Sequence, residues 1–276
     1  MLIGAHVGIG GGFTNAVSSG LAIKADIIQI FTRNQMQWKS RPLDVRDAER
    51  FRDAFAESGL KGVIAHGSYL INLAGSDAGN AAMSVSAVVE EMRRCDALGI
   101  GTYIFHPGSH RGAGEERGIT NEIQNIGRIL DATADMQVKM AVETMAGQGD
   151  VICSSFESIA RIIEGVDSPR IGVCLDTCHV FAAGYDVRTA EGVRKTLKRF
   201  REVIGFDRLL AVHLNDSKAK LGSRVDRHEN IGKGEIGKEC FRSLMHTASL
   251  SRIPMALETP GGEKMYSREL RLLRKL

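Results

Sequence analysis

Nine histidines and carboxylates stand in short polar contexts along this 276-residue chain: His66 in IAHGSYL, His106 in IFHPGSH, Glu143 in AVETMAG, Asp176 and His179 in LDTCHVF, His213 in AVHLND, Asp226 and His228 in RVDRHEN, and Glu258 in ALETP. Imidazole and carboxylate together are the donors that borderline divalent ions such as zinc, manganese or ferrous iron accept. Four carboxylates held close would drive one another to protonate, whereas three divalent ions would leave the group at about +2 and attractive to a phosphate. Other chemistries are poorly supplied. There is no GxSxG and no GxxxxGK[ST], which removes the commonest serine-hydrolase and phosphate-loop readings. Five cysteines, at 95, 153, 174, 178 and 240, form no CxxC and no regular spacing, so neither a disulfide framework nor a thiolate zinc ribbon is expected. Cys174 reads as a small core residue. Cys178 stays open because it adjoins Asp176 and His179, although a soft thiolate would be the odd member of a nitrogen and oxygen site.

The elements that must position these groups follow from periodicity. Short β-rich runs at 2–6, 26–31, 62–66, 101–106, 139–143, 170–176, 209–215 and 253–258 alternate with stretches of helical spacing at 13–25, 45–58, 77–98, 115–134, 156–164, 187–204, 238–248 and 266–276. Eight strand-helix units without a proline- or serine-rich linker imply an α/β chain with a parallel sheet, and over about 250 residues they suit a (β/α)8 barrel, with a doubly wound sheet as the competing fold. Strand parity sharpens the barrel reading. Ala141 and Glu143 oppose Met140 and Val142, Gly172, Cys174 and Asp176 oppose Ile171, Val173 and Leu175, and the same holds for Ala211 and His213 and for Ala256 and Glu258. One face is bulky and the other is small and closes on a polar group. Six strands thereby deliver His66, His106, Glu143, Asp176, His213 and Glu258 to the carboxyl-terminal mouth, where barrel enzymes place their sites. His179, Asp226 and His228 follow just beyond, in the loops.

A lone histidine or carboxylate at a strand end is usually structural, and a carboxylate there often caps a helix. Nine at one end of a barrel, six of them in strand parity, are much harder to explain that way. His6, His110 and His246 are left outside the metal ligands, His6 as a neighbour of them. GIGGGF at 8–13 has Phe13 where a dinucleotide fingerprint needs Gly or Ala, and reads as a tight turn.

Composition bounds the rest. A chain with 43% hydrophobic and 25% charged residues is ordinary for a globular protein. Its net charge of +3 and pI near 8.6 permit a nucleic-acid partner without requiring one. With neither an 18-residue apolar run nor a signal-peptide start, the expectation is a cytoplasmic protein with no membrane partner. KRFR at 198–201 and RELRLLRKL at the C-terminus read as solvated helix faces. IFTRNQMQWKSR and SKAKLGSRVDRH instead lie in mouth-side loops, where their cations could meet a polyanion.

The motifs FTRNQMQW, HGSYLINL, HPGSH, VETMAGQG, GVCLDTCHVFAAGYD, VHLNDSK, GSRVDRHENIGKGEIG and LETP resemble those of the endonuclease IV class of abasic-site (AP) endonucleases, nearly end to end. LDTCHxFAAGYD and GSRVDRHxxIGxGxIG carry most of the specificity. The resemblance implies a DNA-repair phosphoric diester hydrolase on a TIM barrel of the xylose-isomerase-like type, one domain over 1–276, acting as a monomer on double-stranded DNA with abasic sites or blocked 3′ ends. It implies three zinc ions, with manganese or iron possible at some sites. His66, His106 and Glu143 match the first ion's ligands, Glu143, Asp176, His213 and Glu258 the second's, and His179, Asp226 and His228 the third's. Cleavage 5′ to the abasic site would leave a 3′-hydroxyl and a 5′-deoxyribose phosphate, and trimming of 3′ ends would accompany it. A metal-bound hydroxide would attack, with Glu143 bridging two ions and Glu258 orienting the nucleophile.

For DNA contacts the resemblance points to Tyr69 and Leu70 as a wedge at the lesion, with Met36, Arg33 and Arg227 beside the duplex. Two positions depart from the pattern. Met36 stands where arginine is frequent in NQMQW, leaving Arg33 to supply charge, and Gly67 replaces an acidic residue beside the first histidine. The main rival is a metal-dependent sugar isomerase or epimerase on a related barrel, which would need a free acid or base facing its substrate. No lysine closes a strand here, Lys139 being at the wrong end. A non-catalytic binder of damaged DNA would be expected to lack ligands, and none is missing.

Overall fold

The computed structural model describes residues 1–276. Its strands are β1 (Leu2–His6), β2 (Ile27–Phe31), β3 (Gly62–His66), β4 (Thr102–Phe105), β5 (Lys139–Glu143), β6 (Ile171–Asp176), β7 (Leu209–His213), a two-stranded ribbon of β8 (Asp216–Ser217) and β9 (His228–Glu229), and β10 (Pro254–Leu257). The helices are α1 (Phe13–Ala22), α2 (Val45–Ser58), α3 (Ala78–Leu98), α4 (Glu115–Ala132), α5 (Phe156–Val166), α6 (Thr177–Ala183), α7 (Ala190–Val203), α8 (Lys238–Met245) and α9 (Gly262–Leu273). Strands β1 to β7 and β10 pair in parallel and close on themselves in the order β1-β10-β7-β6-β5-β4-β3-β2. The fold is therefore the TIM barrel, and the doubly wound sheet is excluded, because β1 pairs with both β2 and β10 and leaves no edge.

Alternation divides the apolar residues into two bodies. Ile27, Ile64, Ile104, Ala141, Cys174, Ala211 and Ala256 fill the barrel interior, while the opposite faces of the strands join the helices in one large core. The interior is crowded where β1 meets β2: a Cβ at Gly4 would stand 1.7 Å from the carbonyl oxygen of Ile27, so only glycine lets these strands approach. Side-chain oxygens start several helices by accepting from early backbone N–H groups. Asp44 caps α2, Asp77 α3, Ser155 α5 and Thr189 α7.

Two features lie outside the sequence expectation. Residues 177–183 form α6, capped by Asp176 and ended by Gly184 in the left-handed region, so His179 sits in the first turn of a helix and not in a loop. At seven residues it is too short to show a helical period. The β8–β9 ribbon is likewise made by pairing between distant short segments, Asp216 with Glu229 and Ser217 with His228.

Candidate metal centre

The wall of the barrel carries all six strand-end groups to one mouth, and α6, β9 and the loop leading into β9 bring the other three against them. Glu143 is the hub. Its Oε2 lies 3.2 Å from His66 Nε2 and 3.2 Å from His106 Nε2. Its Oε1 lies 3.0 Å from His213 Nδ1 and 3.2 Å from His179 Nδ1. His213 Nδ1 is also 3.4 Å from Glu258 Oε2 and 3.8 Å from Asp176 Oδ2. Beside these, His179 Nε2 is 3.2 Å from Asp226 Oδ1, which is 3.4 Å from His228 Nε2. The possible ligand atoms fall into sets lying within 4.8 Å of one another: His66, His106 and Glu143; Glu143, Asp176, His213 and Glu258; and His179, Asp226 and His228.

This donor set fits divalent metal. Two donors at 2.0–2.1 Å from a tetrahedral ion stand about 3.3–3.4 Å apart, close to the spacings here. The rings are also held from behind. His66 Nδ1 is 2.8 Å from the Gly67 carbonyl and His228 Nδ1 is 3.3 Å from that of Glu258, which leaves each Nε2 facing the cluster. His213 is turned the other way, its Nε2 2.8 Å from Gln29 Oε1 and its Nδ1 toward the carboxylates. His179 Nδ1 lies 2.8 Å from the carbonyl of Thr144, leaving Nε2 to Asp226. Asp176 divides its work, Oδ1 accepting from the His179 N–H at 2.9 Å as helix cap while Oδ2 faces the site.

Electrostatics agree with the geometry. Burial pushes the Glu143 carboxyl up, but His213 and His106 outweigh it and hold the group well below the usual carboxylate range. Glu258 follows the same pattern, burial opposed by His213 and by the hydrogen bond with His6. Burial first, then Glu258 and Glu143, push the Tyr69 phenol up to about 12.

Three positioning groups are not evident from strand-end chemistry. Gln29 Nε2 donates to Glu258 Oε1 at 2.6 Å and lies 2.9 Å from His6 Nδ1, so one amide joins β1, β2, β7 and the Glu258 carboxylate. Asn215 Nδ2 donates to Asp176 Oδ2 at 2.7 Å, and its Oδ1 accepts from the Glu258 N–H at 2.9 Å. Thr144 Oγ1 accepts from the Asp176 N–H at 3.0 Å. Inward parity on β2, the sole polar residue in IIQIF, was a usable signal for Gln29, and Asn215, in parity with His213 in the expected run 209–215, offered the same signal; Thr144 lies past the end of β5, where parity lapses.

The candidate DNA contacts divide. Met36 is 63% exposed and Tyr69 52% exposed; Leu70 is half-buried and Arg227 exposed beside the Asp226 and His228 pair. The Tyr69 ring lies 5.8 Å from His66 and 5.7 Å from His106, against the mouth. Arg33 contradicts its expected role. Its side chain is 2% exposed and its guanidinium is committed to Glu91 and to the carbonyls of Gln37 and Trp38, so it cannot reach a phosphate without breaking a buried ion pair. Cys174 lies in the interior layer. Cys178 is buried, and burial pushes its thiol up to about 12; its Sγ faces the Arg227 carbonyl at 3.7 Å, yet lies close enough to Asp176 and His228 to group with them.

The family model described as xylose isomerase-like TIM barrel matches residues 17–276. A probable endonuclease 4 of Geobacter sp. (strain M21) is 45% identical over 278 aligned residues, covering 100% of this chain and 98% of that relative. The crystal structure of endonuclease IV from Thermus thermophilus superposes with a TM-score of 0.90 at 32% identity, covering 100% of this chain and 98% of that one. A D-tagatose 3-epimerase-like protein superposes with a TM-score of 0.74 at 17% identity over 100% of this chain and 96% of its own, a likeness of fold alone.

Proposed function

The chain belongs to the endonuclease IV family of AP endonucleases that act in DNA repair, and from that premise we propose how its own residues do so. Residues 1–276 act as one barrel domain, and as a monomer, on double-stranded DNA. The bond hydrolysed is the phosphodiester on the 5′ side of an abasic site, leaving a 3′-hydroxyl and a 5′-deoxyribose phosphate, and blocked 3′ ends are trimmed at the same site. The observation that carries this reading is the convergence on Glu143: four imidazoles within 3.2 Å of one buried carboxylate, which belongs to two donor sets and adjoins a third.

Three divalent ions, zinc or at some positions manganese or iron, would be held by His66, His106 and Glu143, by Glu143, Asp176, His213 and Glu258, and by His179, Asp226 and His228. Bound there, such ions lower the pKa of water towards neutrality and neutralise charge on the attacking and leaving oxygens of an in-line displacement. Glu143, with one oxygen toward each of two donor sets, holds them in register. Glu258 has Oε1 engaged by Gln29, so Oε2 is the oxygen left to face the donor set and orient an attacking water. Tyr69 and Leu70 stand where a nucleotide lifted from the stack would enter, and an abasic nucleotide resists least because it has no base to unstack. Met36 serves as an exposed apolar wedge, and Arg227 meets a phosphate.

A duplex carrying one tetrahydrofuran abasic analogue should be nicked on its 5′ side by the metal-loaded protein, and elemental analysis should return about three divalent ions per chain. A metal-loaded protein that leaves this duplex whole and interconverts sugars would overturn the reading.

A further inference from the structure

Outside the metal centre, Glu91 on α3 is a buried charge whose partners come from two different mouth-side loops. Its Oε1 accepts from Arg33 Nε at 2.5 Å, and its Oε2 accepts from the Tyr103 hydroxyl at 2.7 Å and from the Ser68 N–H at 3.2 Å. Arg33 Nη1 donates onward to the carbonyls of Gln37, at 3.0 Å, and Trp38, at 2.9 Å. Ser68 Oγ closes the ring by donating to the Gln35 carbonyl at 2.6 Å. The ring thus ties the loop after β2 to the loop after β3. All four of its side chains are buried, while Met36 on the first loop and Tyr69 on the second project from it into solvent.

We propose that Glu91 and Arg33 are a positioning pair that holds the two loops in the geometry in which they receive duplex DNA. This rests on the endonuclease reading above and adds to it residues that never touch the nucleic acid. Two loops ordered before binding need not lose their freedom on binding, so the contribution falls on affinity for the duplex and not on the hydrolytic step. Of the metal ligands, His66 adjoins the brace, its Nδ1 on the carbonyl of the Gly67–Ser68 peptide whose N–H Glu91 accepts, while His179, His213 and Asp176 are held elsewhere, by Thr144, Gln29 and Asn215. Gly67 belongs to the same device. A Cβ there would stand 2.4 Å from the Tyr103 hydroxyl, so an acidic residue at 67 and a tyrosine at 103 that reaches Glu91 exclude each other.

The test compares Glu91→Gln, Arg33→Lys and Tyr103→Phe with the unaltered protein, each loaded with metal, on the abasic-analogue duplex. Glu91→Gln keeps the shape and removes the charge, and is expected to raise KM about tenfold or more with kcat within about threefold and metal content unchanged. Arg33→Lys keeps the charge but cannot bridge Glu91 and two carbonyls, and should shift KM in the same direction. The chain's only tryptophan, Trp38, lies in the braced loop, so its fluorescence quenching by acrylamide should increase in these variants and be restored by saturating duplex. An unchanged KM in Glu91→Gln, or a loss confined to kcat, overturns the proposal. Should Glu91→Gln fail to fold, Tyr103→Phe decides: a smaller rise in KM supports the pair's role and an unchanged KM overturns it. If the unaltered protein does not cut the duplex, it is the endonuclease reading that fails, and quenching of Trp38 in the variants without DNA still tests the brace.

Discussion

Glu143 at the mouth of the barrel and Glu122 on α4 are both wholly buried glutamates, yet they are opposites. Around Glu143, four imidazoles converge and outweigh the cost of burial, so its carboxyl is held well below the usual range. Glu122 has neither oxygen in a hydrogen bond, and burial alone drives its carboxyl well above the usual range, favouring the neutral acid. Burial costs an unpaired carboxylate its charge, while a ring of imidazoles keeps it. The mouth of the barrel is where this protein assembles donors around its carboxylates; the wall beneath α4 is not.

The most severe way to break this contrast is to remove the hub. Glu143→Ala leaves two donor sets without their shared carboxylate and should lower incision of the abasic duplex by about a thousandfold or more. Metal bound per chain, read by elemental analysis, should fall as well; full metal content would show that Glu143 does not hold the sets together. Glu258→Gln is milder, because the amide keeps the size and one oxygen. It should reduce kcat by about a hundredfold while binding of the abasic duplex stays within about threefold. Undiminished turnover would remove Glu258 from the mechanism.

At the other pole, Glu122→Gln should stabilise the protein. Because the folded carboxyl is raised above its ordinary 4.5, the folded state holds a proton that the unfolded chain releases, and stability falls as pH rises from about 4.5 toward the raised value. The glutamine variant lacks this slope. Its melting temperature should match the unaltered protein near pH 4 and exceed it by about 2–4 °C at pH 8, and a gain independent of pH would mean that Glu122 is already ionised in the fold. The smallest effect is expected at the surface, where Met36→Arg should tighten binding to duplex DNA and steepen its salt dependence by about one counterion. An unchanged salt slope would place Met36 away from the phosphates.

Much of the barrel was legible in the order of residues. β1, β3, β5 and α2 begin and end where periodicity puts them, and the remaining barrel strands differ by one or two residues at an end. Six of the nine metal-centre candidates were legible for the same reason, since a group closing the inward face of a parallel strand has one place to go; His179, Asp226 and His228 were legible only as residue types in short polar motifs next to them. Arg33 was misread because a cation in the loop FTRNQMQW looks like a phosphate contact. Glu91 was passed over because in EEMRRC, amid charges on a long helix, nothing distinguishes the buried glutamate from half-buried Glu90 or exposed Arg93.

What the sequence by itself determined is thus whatever obeys a short period: strand and helix order, inward and outward faces, and the set of imidazoles and carboxylates at one end of a closed sheet. The tertiary structure alone decided which charges are paired in the interior, that α6 starts on Asp176, and that Gln29 and Asn215 brace the carboxylates. Alternation is local and repeats every two residues. A hydrogen bond between Glu91 and Arg33, 58 positions apart, depends on how a helix and a loop pack across the wall of the barrel, and no local period encodes it.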